Sequence, residues 1–137
     1  MSERYVLDSF AVLALLANEP GSERVRKLLA HAEADPTSVL MTWVNVGEVA
    51  YIIERRWGKG RVYQVLGALE ATALAMRAAG RDLTLAAAGI KAGHPLACAA
   101  AVAAALATQE DAVLVTGDPE FRQLDGDLSI DWLPEPE

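Results

Sequence analysis

The sequence is poor in the residues that announce many kinds of chemistry. It has one cysteine, two histidines, and fewer cations than anions. A single thiol, Cys98, excludes an internal disulfide and suits a reducing cytoplasm. Neither His31 nor His94 makes a His–Cys pair with the spacing of a thiol nucleophile and its base. Cys98 therefore reads as a small core residue, His31 as a residue of an exposed helix end and His94 as a turn residue before Pro95. A formal net charge of −7 excludes a protein that grips nucleic acid through a general basic field. A phosphate-bearing substrate would need a local basic patch or bound divalent cations.

Long hydrophobic runs are also missing. The N-terminal stretch MSERYVLDSFAVLALLANEP is interrupted by Asp8, carries Glu3 beside Arg4, and has no small-residue cleavage site, so it does not read as a signal peptide. The uncharged stretch between Lys91 and Glu110 contains His94 and Pro95. Its alanines transfer too weakly into lipid for a membrane span. Phosphate-binding glycine loops are absent as well: GKGR has glycines but no strand-loop-helix setting.

What is present is an alternation of strands and helices within a length of 137 residues, which suits one domain, residues 1–137. YVLD (5–8) reads as a buried strand, and SFAVLALLAN as a helix capped by Ser9. SERVRKLLAHAEA is an amphipathic helix with Val25, Leu28, Leu29 and Ala32 on one face, ended by Asp35-Pro36. SVLMT (38–42) reads as a second strand. In WVNVGEVAYIIERRWGKG, Val46, Val49, Ala50, Ile53 and Trp57 keep helical spacing until Gly58 and Gly60 stop the helix. A further helix is expected over 61–79, then a brief extended piece at DLTLA and a short helix at AAAGIKAG. Pro95 is expected to open the alanine-rich helix, where its missing N–H costs nothing. AVLVT (112–116) is the clearest strand, GDPEF a helical turn, and SIDWL (129–133) an edge strand. The pattern predicts an α/β fold, a three-layer α/β/α sandwich on a mainly parallel sheet, whose ligand site lies beyond the carboxyl ends of the strands.

Three acids fall at or near that edge. Asp8 directly follows a buried strand. It could serve only the dipole of the helix that follows, but its apolar flanks favour a carboxylate at the ligand edge. Glu48 shares a helix side with Asn45, Ile52 and Arg55 and is flanked by Val46, Gly47, Val49 and Ala50. An ion pair at the core rim and a site carboxylate are both open to it. Asp118 begins Asp-Pro-Glu, the signature of a helix N-cap, which leaves an oxygen lone pair free for ligation. ERRWGKGR (54–61) is the densest basic run, and Arg55, Arg56, Lys59 and Arg61 are its candidates for phosphate contact.

Taken in order, YVLD, NVGEVAY, HPLACAAAVAAALA and LVTGDPEF resemble a PIN domain, in particular the VapC-type toxins of bacterial toxin–antitoxin pairs. The resemblance spans nearly the whole chain. It implies a small α/β/α ribonuclease that binds Mg²⁺ or Mn²⁺ with clustered acids, an RNA substrate, a VapB-like antitoxin partner and a homodimer. Asp8 matches the family's first acid, Glu48 the second and Asp118 the acid after the fourth strand, with Thr116 the hydroxyl residue two positions before it. The third acid belongs to a motif like LSYADAFAAALA, and LACAAAVAAALA places Ala100 where that Asp stands. Weakened metal binding and a large loss of nuclease activity are expected, with little damage to the fold. Alanine there reads either as a ligand-to-alanine change that silences a toxic nuclease or as natural loss in a non-catalytic, antitoxin-binding relative. Retention of the other acids favours the former. A haloacid-dehalogenase-type phosphatase also starts on a strand ending in Asp, but its second acid, two residues on, is here Phe10.

Overall fold

The computed structural model describes residues 3–136. Alternation within the short strands builds the layers. In β1 (Tyr5–Leu7), β2 (Val39–Thr42) and β4 (Val113–Thr116), the side chains of Val6, Leu40 and Leu114 pack into one core, and those of Leu7, Met41 and Val115 into the other. Strands β3 (Ala75–Arg77) and β5 (Ile130–Trp132) complete a sheet of order β3-β2-β1-β4-β5 in which every pairing is parallel. A parallel sheet needs both faces covered, which is why its central strands read as continuous apolar runs.

Helices α1 (Ser9–Leu16), α2 (Ser22–Ala32), α3 (Trp43–Trp57) and α4 (Lys59–Glu70) contribute Val12, Val25, Leu28, Val46, Ile53 and Leu69 to one core. Helices α5 (Arg81–Gly93) and α6 (Cys98–Gln109) form the other. Every residue of α6 from Ala100 to Ala107 is buried, so alanine side chains let the helix lie close against β1, β2 and β4. Among the described residues no single helix is long and apolar enough to cross a membrane; α5 and α6 would pass only as a pair bent by 115°.

The sheet is wholly rather than mainly parallel, and five local expectations shift. The helix expected over 61–79 is α4 ending at Glu70, followed by β3. That segment is rich in helix-favouring Ala, Leu and Met, but pairing of Leu40, Met41 and Thr42 with Ala75, Met76 and Arg77 decides its state. DLTLA is not extended: it lies in α5, where Leu83 and Ala87, four residues apart, turn to the core. Pro95 does not open α6; it lies in the preceding turn, and Ala97 is the N-cap. Gly58, with φ +86°, ends α3, whereas Gly60 lies inside α4. The cap of α1 is Asp8, not Ser9: Asp8 Oδ1 accepts from the Ala11 N–H at 3.0 Å.

Chain order creates a switch point between β1 and β4. From β1 the chain moves outward to β2 and β3, then returns to the other side for β4 and β5. Ligands of open α/β sheets bind in the crevice such a reversal leaves at the carboxyl ends of the strands.

Candidate active site

Asp8 leaves β1 into this crevice, and Thr116 and Asp118 leave β4 beside it. The Asp8 carboxylate, 4% exposed, is fixed from two sides. Oδ1 accepts from the Ala11 N–H, and Oδ2 accepts from the Thr116 hydroxyl at 2.5 Å. Thr116 Oγ1 in turn accepts from the Asp118 N–H at 3.0 Å. Asp118 Oδ1 accepts from the Glu120 N–H at 3.0 Å, capping the 3-10 turn Pro119–Leu124. A single hydroxyl thus fixes the relative positions of two acids.

Glu48 arrives from α3, whose start is set by β2. Thr42 Oγ1 accepts from the Asn45 N–H at 3.0 Å and donates to Asn45 Oδ1 at 2.5 Å. Asn45 Nδ2 donates to the Ala99 carbonyl at 3.1 Å, and its own carbonyl accepts from Ser9 Oγ at 3.3 Å. The buried Asn45 therefore ties α3 to both α1 and α6 one turn before Glu48, which is half-buried. The ion pairs among the described residues do not include Glu48, so the rim ion pair open to it from the sequence does not form.

These elements enclose a cavity of about 50 Å³ lined by Asp8, Glu48, Ala100, Asp118 and Glu120. Position 100, 8% exposed, thus opens onto the same cavity as the three acids. Glu120 is the lining acid that sequence patterning did not single out. Its carboxylate accepts from the Ala97 N–H at the start of α6, a helix without a side-chain cap of its own. Its place directly before Phe121 in GDPEF was the available signal.

Burial drives the Asp8 carboxyl from its ordinary 3.8 up to about 7. The bonds from Thr116 and Ala11 oppose that rise, and the negative charges of Asp118 and Glu48 add to it. A carboxylate this poorly compensated is a favourable neighbour for a cation. Oxygen donors suit a hard divalent ion in kind. In number they fall short: among the described residues, no three His, Cys, Asp or Glu side chains are gathered closely enough to hold one. The shortfall coincides with a methyl group at position 100.

The larger concavity, about 650 Å³, is apolar and lies between α1, α3 and α4, with Leu13, Leu16, Ile53 and Trp57 in its walls. Size alone would make it the first candidate, but it holds no paired acids. Phe10 lines both spaces and so joins groove to acidic cavity. The basic run is divided: Arg56 and Arg61 border the groove, Arg55 is on the Glu48 side of α3, and Lys59 is exposed at the start of α4. His94, in its turn, is within 3.1 Å of the Ile90 carbonyl through Nδ1; Cys98 is exposed rather than in the core, because it opens α6 two residues before the helix becomes buried.

A five-stranded parallel α/β/α sandwich with acids at the β1/β4 switch point defines the class of fold. The PIN domain family model matches residues 5–127, and the chain belongs to that family. Among solved structures, the chain is similar to DNA-bound VapBC from Salmonella typhimurium, with a TM-score of 0.72 and 17% identity over 95% of this chain and 98% of that one. VapC20 from Mycobacterium tuberculosis, described as a toxin that cleaves the sarcin-ricin loop, gives a TM-score of 0.72 at 16% identity, over 95% and 99% of the two chains. VapBC2 from Rickettsia felis, bound to a promoter DNA fragment, gives 0.71 at 17%, over 95% and 98%. No relative is found by sequence among curated proteins.

Proposed function

We propose that the chain is a PIN-type endoribonuclease of the toxin–antitoxin kind, with an RNA-cleaving site weakened by the alanine at position 100. The observation that carries the reading is the convergence of Asp8, Glu48 and Asp118 with Ala100 on one cavity at the β1/β4 switch point. With a carboxylate at position 100, Asp8, Glu48 and Asp118 would be its partners in holding Mg²⁺ or Mn²⁺, directly or through water. Such an ion, when bound, polarises a phosphodiester oxygen and lowers the pKa of an attacking water. In a chain of net charge −7, it also supplies positive potential where the scissile phosphate sits.

The chain's own residues prepare that arrangement. Asp8 is held in one orientation by the Thr116 hydroxyl and the Ala11 N–H at the N-terminus of α1. Thr116 holds the Asp118 backbone as well, which keeps the two acids in register. Asn45 sets the distance of Glu48 from α6. At position 100 a carboxylate would face the same cavity; a methyl group removes one ligand and one negative charge. The test is cleavage of RNA in Mn²⁺ and in EDTA. The Ala100→Asp variant is expected to cut only with the metal and the Ala100 chain far more slowly. Failure of the variant to cut any RNA overturns the reading.

A second reading, a non-catalytic antitoxin-binding protein, is favoured by the apolar groove. A VapB-like helix with apolar residues against Leu13, Leu16 and Trp57 would fit it, and Phe10, which lines both spaces, would set such a helix next to the acidic cavity. If the Ala100→Asp variant stays inactive while a VapB-like antitoxin binds the chain, this second reading replaces the first.

A further inference from the structure

The apolar groove has a neighbour from far along the chain. Leu133, directly after β5, is buried, and its N–H donates to the Thr116 carbonyl at 2.8 Å. Its side chain lies over Gly21, just before α2: a Cβ added to that glycine would stand 3.1 Å from Leu133 Cβ. These contacts fix the point from which the following residues leave the sheet. Pro134 has no N–H with which to continue the ladder. Pro134, Glu135 and Pro136 are exposed and belong to no helix or strand, yet Pro136 lines the groove together with Phe10, Ala17 and Glu19. Two prolines in three residues fix their own φ and keep Leu133 and Glu135 extended, so the segment is a stiff arm of about 3 Å per residue.

The groove offers this arm both an apolar wall and charge. Arg56 and Arg61 border it against a single acid, Glu19. Arg56 leans over the Trp57 ring, 5.9 Å from its centroid. Among the described residues neither arginine forms an ion pair. The arm carries the opposite sign. Glu135 stands between the prolines, and Glu137, next in sequence and outside the described residues, adds a second negative charge.

We propose that residues 134–137 are a strap that closes over the groove of the same chain, laying Pro136 on its apolar wall and the strap's negative charge against Arg56 and Arg61. Tethering at Leu133 gives the strap an effective concentration on the order of mM, while its few contacts leave it displaceable. The arm loses little freedom on closing, because its prolines are restricted before it does so. A helix entering the groove must first lift the strap, which therefore sets how tightly a partner has to bind. The inference concerns access to the groove alone; neither RNA cleavage nor the acidic cavity enters it.

The probe is Nile red, a neutral apolar dye, titrated at several protein concentrations with its emission as readout, and circular dichroism checks that each variant is folded. A strap closed nine-tenths of the time lowers apparent affinity for the groove about tenfold, so removing residues 134–137 is expected to tighten dye binding about tenfold. Glu135→Arg is expected to tighten it about threefold or more. Adding Arg61→Glu to Glu135→Arg exchanges the charges and should restore the affinity of the unaltered chain to within about twofold. Trp57→Ala removes part of the groove wall and should weaken dye binding by the shortened chain. Unchanged affinity on removing residues 134–137, or no restoration by the charge exchange, overturns the strap. A shortened chain whose dye binding ignores Trp57→Ala has a groove that stays closed without the arm, and overturns it too. A gain on removal that grows with protein concentration assigns the arm to another copy's groove and likewise overturns it. The test uses neither RNA nor a partner, so its failure leaves both functional readings standing.

Discussion

Replacing Asp8 with asparagine should stabilise the metal-free protein at neutral and alkaline pH. In the unfolded chain this carboxyl ionises near 3.8, and in the folded protein burial moves it to about 7. Between those values the native state holds the proton and the unfolded state releases it. Stability therefore falls as pH rises through that window and is lowest above the folded pKa. At about 1.4 kcal/mol per pH unit, the charged carboxylate costs about 4 kcal/mol once fully ionised. Asparagine keeps an oxygen for the Ala11 N–H but must rearrange its bond with Thr116, a loss of about 1 kcal/mol. The net expectation is a gain of about 3 kcal/mol near pH 8, shrinking to nothing or a slight loss near pH 4. Urea unfolding in EDTA, followed by circular dichroism across that range, measures it. A pH-independent difference, or a variant less stable than its parent near pH 8, would refute the claim that Asp8 is buried without a compensating charge.

Other consequences follow from the same geometry. Mn²⁺ added near pH 8 should raise the unfolding midpoint of the parent chain more than that of Asp8→Asn, a comparison suited to differential scanning calorimetry. Asn45→Ala removes the bond to the Ala99 carbonyl and leaves buried groups unpaired, so it should cost about 1–3 kcal/mol in urea unfolding. Gly117→Ala brings a methyl within 2.3 Å of Phe10 Cε1 and 3.1 Å of the Leu133 carbonyl oxygen. The ring must move, and the expected cost is about 1–3 kcal/mol by thermal unfolding.

How far the sequence revealed the molecule depended on how local the deciding force was. Strands β1, β2 and β4 were legible because a strand buried on both faces must be apolar throughout, and Asp8 and Asp118 stood out at their ends. Strand β3 was hidden because its ALAMR segment favours helix, and only pairing with β2 makes it extended. DLTLA misled through an apparent alternation, whereas its Leu83 belongs to a helical face shared with Ala87. At the site, residues far apart in the sequence, position 100 and the three acids, line one cavity. The bond from Asn45 to the carbonyl of Ala99 joins residues 54 positions apart, beyond the reach of any periodicity. The basic run looked like one patch, but helical phase puts Arg55 and Arg56 on different faces of α3.

The most direct test of the acidic cavity as a divalent-cation site lacking one ligand is anomalous scattering from crystals of the Ala100→Asp variant grown with Mn²⁺. One strong peak is expected within the cavity, bounded by Asp8, Glu48, Asp118 and the new carboxylate, and a weaker peak or none in the Ala100 chain. A Mn²⁺ ion bound elsewhere, or an empty cavity in the variant, would contradict it.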